Sequence, residues 1–234
     1  MCGRYTLTPT RKQLEMGFSE LKALPEDRIF AERFNVAPTQ EVVAITRPPD
    51  SPSPTAELLR WGLSPHWAKS FDDGVKMINA RSETISEKPS YRQLIATAAG
   101  RCLVLADGFY EWESVGGGTK QPWRFTVDGG AVFALAGLCT TWQPEEGPPV
   151  RSCVVATTEP NQLVEPIHNR MPAILADRDQ MDGWLDPTVD ARSAAALLKP
   201  LDSSRMQKEK AARAVGKPGN EGPALLHPEQ DGLF

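Results

Sequence analysis

The chain has 234 residues, 40% hydrophobic and 24% charged, and its 26 Lys and Arg against 30 Asp and Glu leave a net charge of −4. That balance fits a globular β-rich domain and lacks the footprint of a strongly basic nucleic-acid binder, so any nucleic-acid site must be a local basic cleft on an acidic body. No apolar run reaches the roughly 18 residues of a membrane span and no basic-then-apolar leader opens the chain; the expectation is a cytoplasmic protein with no membrane partner.

The first residues are Met1-Cys2-Gly3-Arg4. Once Met1 is removed, Cys2 carries an α-amine and a thiol on adjacent carbons, a 1,2-aminothiol that no internal cysteine has. With reference pKa values of about 8 and 8.5, both groups are partly nucleophilic near neutral pH. An aldehyde can condense with the amine to an imine, which the thiol then closes to a five-membered thiazolidine. Alternatively, the thiol attacks a carbonyl with the amine as its base.

Thr8 and Pro9 predict the N-cap and first residue of a helix running through Met16. Asn35 to Thr39 is expected to be an extended loop, since Ala37 precedes Pro38. Strands are predicted at Glu41–Thr46 and Leu58–Leu63, on either side of a proline-rich surface loop. Trp67 falls in the loop that follows, and a short helix is predicted from Pro89 to Ala98. Arg101–Glu113 reads as the longest strand, turned by Gly116-Gly117-Gly118 into a hairpin with Trp123–Val127. Further strands are expected at Val132–Trp142, Val150–Thr157 and Met171–Leu175, and helices at Glu159–Glu165, from an Asp177 cap to Leu185, and at Ala191–Lys199. From Gly216 to Phe234 the chain is rich in Gly, Pro and charge and is expected to be a mobile tail. The fold class that follows is α+β: a single β-rich domain over residues 2–215, with a largely antiparallel, barrel-like sheet and peripheral helices.

Cys102, Cys139 and Cys153 lie in apolar runs and are expected to be small core hydrophobes. No Cys-x-x-Cys pair occurs, and His66, His168 and His227 have no paired spacing, so neither a metal nor another cofactor is expected.

Four stretches place polar groups at the ends of apolar runs. Asn79 can hold an oxyanion or orient an amine, and Arg81 offers a planar fork for phosphate. Glu111 sits among Phe109, Tyr110 and Trp112. Burial would raise its pKa and make it a general acid–base near neutral pH, although alternation alone leaves open whether its face is buried. His168, beside Arg170, titrates in the range of proton shuttling. Trp67, near Lys69, is placed to stack on a base, whereas Trp61 suits a core.

Six blocks together resemble the SOS response-associated peptidase (SRAP) family. They are the Met-Cys-Gly-Arg-Tyr start, Asn-Val-Ala-Pro at 35–38, Arg-Trp-Gly-Leu-x-Pro-x-Trp at 60–67, Asn-Ala-Arg-x-Glu-Thr at 79–84, Ala-Asp-Gly-Phe-Tyr-Glu-Trp at 106–112 and His-Asn-Arg-Met-Pro at 168–172. They occur in the family's order. The resemblance implies a protein that binds single-stranded DNA at abasic sites and at junctions and forms a thiazolidine crosslink from Cys2 to the ring-opened deoxyribose, shielding the lesion. It also implies that the protein removes its own Met1. By the same resemblance, Cys2 is the nucleophile, Asn79 positions the amine and sugar, Glu111 is the acid–base group and His168 assists proton transfer and reversal. Arg4, Arg81 and Arg170 would hold phosphates, with Pro38, Trp67 and Trp112 also at the DNA. The implied protein is a monomer, nucleoid-associated when on DNA. The family's His-Pro-Val-Ser-type block is replaced here by Lys208 to Val215, which puts a DNA role for that segment in doubt.

Two alternatives use the same residues. A glutaminase-like N-terminal-nucleophile amidohydrolase would also begin Met-Cys-Gly, with Asn79 in an oxyanion hole. A non-catalytic single-strand DNA-binding module would not need Cys2.

Overall fold

Strand and helix formation follow the apolar runs, but the chain changes sheet in the middle of its longest one. The computed structural model describes residues 2–24, 32–49, 51–65, 67–70 and 76–228. In chain order these form β1 (Tyr5–Leu7), α1 (Arg11–Gly17), β2 (Arg33–Val36), β3 (Glu41–Thr46), β4 (Thr55–Trp61), β5 (Asn79–Arg81), α2 (Pro89–Ile95), β6 (Arg101–Ala106), β7 (Gly108–Ser114), β8 (Lys120–Val127), β9 (Phe133–Trp142), β10 (Val150–Thr158), β11 (Met171–Pro172), β12 (Ile174–Leu175), α3 (Arg178–Leu185), α4 (Ala191–Ala196) and β13 (Met206–Lys210), with short 3-10 turns between them.

One sheet runs β13-β8-β7-β1-β2, antiparallel throughout. In the other, β4, β3, β6, β9 and β10 pair in turn and β10 returns to β4, closing a five-stranded barrel. Closure removes the barrel's free edges. The pairings of β10 with β4 and β5 are parallel, the exceptions to an antiparallel architecture. β5 lies on β10 just beyond the end of β4, so the loop from Gly62 to Ile78 leaves and rejoins one strand edge. Tyr5 of β1 packs against Trp61 of β4 with ring centroids 5.5 Å apart, tying the two sheets together. The fold is therefore the expected β-rich α+β domain.

The run 101–113 is two strands, not one. β6 belongs to the barrel and β7 to the other sheet, and the break falls at Asp107. Asp107 is buried, accepts from the Thr8 hydroxyl and pairs with Arg124 at 3.2 Å. At Gly108 a Cβ would lie 2.7 Å from Arg124 Nε and 2.9 Å from Thr6 Oγ1, so a larger residue would displace the side chains that pair with Asp107 and Thr6 there. Thr8 is consequently not the helix cap. Thr10 caps α1 in a reciprocal box with Gln13.

Other boundaries also moved. Asn35 and Val36, expected in a loop, lie in β2. Residues 162–167 form turns rather than a helix; Asn161 Oδ1 accepts from the Leu163 and Val164 N–H groups, and Pro166 interrupts helical hydrogen bonding. Met171–Leu175 splits at Ala173, with β11 on β10 and β12 on β9. The helix expected over Ala191–Lys199 ends at Ala196, short of Pro200. The predicted tail is folded from Gly216 through Pro228. Asn35 Nδ2 donates to the Lys217 and Asn220 carbonyls at 3.1 and 3.0 Å, Glu221 accepts from Phe34 N–H at 2.7 Å, and Leu225 is buried. The tail's last residues, 229–234, lie outside the described residues. Among the described residues, no helix is long and apolar enough to cross a membrane.

Candidate functional site

Elements of both sheets converge on Cys2, just before β1. Asn79, at the start of β5, donates from Nδ2 to the Cys2 carbonyl oxygen at 2.8 Å. Its Oδ1 is buried with no hydrogen-bond partner among the described residues. An amide held by one hydrogen bond, with its acceptor left open, can receive an incoming donor such as an amine or sugar hydroxyl.

Glu111 is on β7, on the same face as Phe109, which stacks on Phe125 at 5.0 Å. Tyr110 takes the other face and donates to the Phe34 carbonyl at 2.9 Å. The ambiguous alternation thus resolves with Glu111 turned toward the main core, and burial pushes its carboxyl up to about 7. The Cys2 thiol is also buried and is held far above its usual range, first by desolvation and then by Glu111. The sulfur accepts from the Arg4 backbone N–H. In the chain that carries Met1, Cys2 is therefore a thiol rather than a thiolate.

His168 Nδ1 lies 3.8 Å from Glu111 Oε1. Nδ1 is also 3.1 Å from the Arg170 N–H and 3.0 Å from its carbonyl oxygen, so the tight turn at 168–170 sets the ring's orientation. Burial lowers its pKa, more than the Arg170 backbone contact raises it, and the ring is neutral near pH 7.

Next to these groups opens a cleft of about 650 Å³, lined by Asn79, Arg81, Lys88, Tyr91, Thr157, His168, Asn169 and Arg170. Arg81 and Lys88 have no ion pair among the described residues. Arg170 is held in a bidentate pair with Glu83, at 2.5 and 3.0 Å, and donates to the Thr157 carbonyl at 2.6 Å. That pair keeps the Glu83 carboxylate below its usual range. The acidic chain thus carries a local cleft lined by Arg81, Lys88 and Arg170.

Of the other expected contacts, Trp67 is 59% exposed in the loop before β5. Pro38 is half-buried at the turn after β2. Trp112 packs with Phe34, Tyr110 and Ala211, on the face of β7 away from Glu111. Arg4, expected to hold phosphate, bonds to the body of the protein. Its guanidinium donates to Asn35 Oδ1 at 2.9 Å and to the Val215 carbonyl at 2.7 Å, pinning the C-terminal segment. Sequence reasoning did not single out Lys88, Tyr91, Thr157 or Asn169. Asn169 lies inside the His168–Arg170 block and could have been found by adjacency; Tyr91 lies in α2 and Lys88 just before it, where no polar motif marks them. Among the described residues, no group of three or more His, Cys, Asp or Glu is placed to hold a metal ion.

A β-barrel flanked by a second sheet, with a near-terminal cysteine against an asparagine, a buried glutamate and a histidine, defines a class of cysteine-centred domain. The SOS response associated peptidase (SRAP) family model matches residues 1–218, and the chain belongs to that family. It is 40% identical over 227 residues to the abasic site processing protein YoqW of Bacillus subtilis (strain 168), covering 97% of this chain and 99% of that one. It is 35% identical over 172 residues to the abasic site processing protein HMCES of Gallus gallus, covering 62% of this chain and 49% of that one. Its fold is similar to the crystal structure of a protein from Bacteroides thetaiotaomicron, with a TM-score of 0.83 at 27% identity over 98% of this chain and 100% of that one.

Proposed function

We propose that this protein processes abasic sites in single-stranded DNA by covalent capture at Cys2, after Met1 has been removed. The observation that carries the reading is the joining of three features. The Cys2 backbone is fixed by Asn79 at 2.8 Å, a carboxyl poised near neutrality lies beside it, and a basic cleft opens next to both. The relatives named for abasic site processing support the substrate class.

The closed abasic deoxyribose is a hemiacetal. Protonated Glu111 gives its proton to the ring oxygen as the C1′–O4′ bond breaks, and its carboxylate then takes the proton of the C1′ hydroxyl, leaving an aldehyde. The Cys2 amine adds to that aldehyde and water leaves, giving an imine. The thiol adds across the C=N bond, with sulfur going to carbon and the thiol proton to nitrogen. The net loss is one water and the product is a thiazolidine. Neutral His168 exchanges protons with Glu111 and solvent, and the same path backward releases the DNA. Asn79 Oδ1 receives the amine or a sugar hydroxyl. Arg81 and Lys88, with Arg170 once it leaves Glu83, take the flanking phosphates, and Trp67 stacks on a base. The same carboxylate is proposed to assist cleavage of the Met1–Cys2 bond, the peptidase step. The protein is proposed to act as a monomer.

The test is a denaturing gel of protein mixed with single-stranded DNA carrying one abasic site, beside Cys2→Ala and an intact-base strand. The reading predicts a heat-stable shifted band only with wild type and only on abasic DNA. No band from protein whose mass shows Met1 gone would contradict it, and glutamine hydrolysis by the same sample would point to the amidohydrolase alternative.

A further inference from the structure

The segment that departs from the family's usual block, Lys208 onward, sits on the same sheet as Glu111. In the register of the five-stranded sheet, Glu111 on β7 stands opposite Trp123 on β8, and Trp123 stands opposite Lys210 on β13. One row across three strands therefore runs from the acid–base residue to the sheet edge. Lys208 falls two residues away on the same face, opposite Phe125. Both ammonium groups lie over the indole, 5.1 Å and 5.7 Å from its centroid. The half-buried Trp123 ring is fixed by its own N–H, which donates to Glu113 Oε2 at 2.8 Å.

Lys210 is exposed, neither lysine has a carboxylate partner among the described residues, and Glu209 points to the other face. β13 is the outer strand of its sheet, with β8 on one side only. Lys120, on the hairpin beside this row, is close enough to His168 to help hold the ring neutral. The mouth around Glu111 and His168 thus has cations on two flanks: Arg81, Lys88 and Arg170 in the cleft, and Lys120, Lys208 and Lys210 on the side of β8 and β13.

We infer that Trp123, Lys208 and Lys210 form a second single-strand subsite that holds the nucleotides on one side of the lesion, while the cleft holds those on the other. This rests on the proposed capture of single-stranded DNA. The two lysines are roughly 6.8 Å apart along the strand, twice the rise per residue, and point to phosphates of an extended strand. Trp123 supplies the aromatic face beside them, the combination that binds single strands without regard to sequence. On binding, a lysine moves from the ring to phosphate, as in other contacts that release counterions.

The experiment measures equilibrium binding of intact-base DNA, so crosslinking is not required. Each probe carries a short duplex as a fixed reference point, with a single-stranded overhang on its 5′ side only in one set and on its 3′ side only in the other. Lys208→Gln/Lys210→Gln is compared with wild type over a range of salt; Lys210 is exposed and Lys208 half-buried, and folding of the variant is checked by thermal melting. The subsite predicts roughly 5- to 20-fold weaker binding on one strand set only. The slope of log affinity against log salt should fall by about 1.4, two phosphates at about 0.7 each, and Lys208→Arg/Lys210→Arg should restore it. Unchanged affinity and slope, or an equal loss on both strand sets, would overturn it. Wild-type crosslinking of an abasic strand, run in parallel, tests the parent reading separately: a subsite that fails while the crosslink forms leaves that reading standing.

Discussion

All four cysteines of this chain are buried, yet their surroundings divide them into two kinds. Cys139 and Cys153 face each other across β9 and β10, and Cys102 of β6 is in hydrogen-bond contact with both. The Arg151 guanidinium, itself paired with Glu57, approaches Cys139 at 3.8 Å. Those thiols fill the closed barrel, and burial holds Cys102 far above the thiolate range. Cys2 is desolvated too, but it meets a carboxyl, a histidine 3.8 Å from that carboxyl, and a cleft with free cations. Burial alone makes a cysteine inert. What separates Cys2 is its place next to the start of the chain and the titratable groups that β7 and the 168–170 turn bring near it.

The largest break in that comparison comes from exchanging the cysteines. Cys2→Ala is expected to abolish the heat-stable DNA band completely. Cys139→Ala should leave crosslinking within about twofold and cost about 1–2 kcal/mol of stability, read from denaturant unfolding.

Glu111→Gln comes next. Loss of the proposed acid–base group is expected to slow crosslinking by roughly 10²- to 10⁴-fold. The same change sharpens the electrostatics. Glu111 has a folded pKa raised to about 7, so the folded state binds the extra proton between its unfolded pKa and pH 7, and stability falls as pH rises through that window. The penalty above pH 7 is on the order of 3 kcal/mol. The glutamine variant should therefore melt higher than wild type at pH 8 and close to it at pH 4, a shift of several degrees for a chain of this size. In wild type, the limb of the crosslinking rate with an apparent pKa near 7 should vanish with the carboxyl.

Asn79→Ala removes the 2.8 Å anchor on Cys2 and is expected to slow capture by about tenfold, while costing about 1 kcal/mol of stability. The smallest effects belong to the cleft wall. Arg81→Gln/Lys88→Gln should reduce the salt slope of single-strand binding by about 1.4 without changing the crosslinking rate of bound DNA, measured in a single turnover.

The contrast between the cysteines was partly legible in the sequence. The apolar runs around Cys102, Cys139 and Cys153 marked them as core, and the polar blocks at 79, 111 and 168 marked residues that the fold brings together near Cys2. The strand 101–113 was misread because each half is apolar; only Asp107-Gly108 marks the change of sheet, and its reason lies in Arg124 and Thr6, distant in sequence. The parallel return of β5 onto β10 leaves no local signature, since both strands pair through backbone. Arg4 is a phosphate ligand by resemblance alone, and nothing local in the sequence announces its bonds to the Val215 and Gly216 carbonyls. The same contacts fold a segment whose composition reads as disordered.

The central claim is that sulfur and nitrogen of one residue both bond to the sugar. Mass spectrometry of the DNA-linked N-terminal peptide, taken without reductant, tests it most directly. The account predicts a peptide beginning at Cys2 that is joined to the deoxyribose with loss of one water and whose sulfur resists alkylation. A linked peptide whose Cys2 thiol still alkylates, or a link to any other residue, would contradict it.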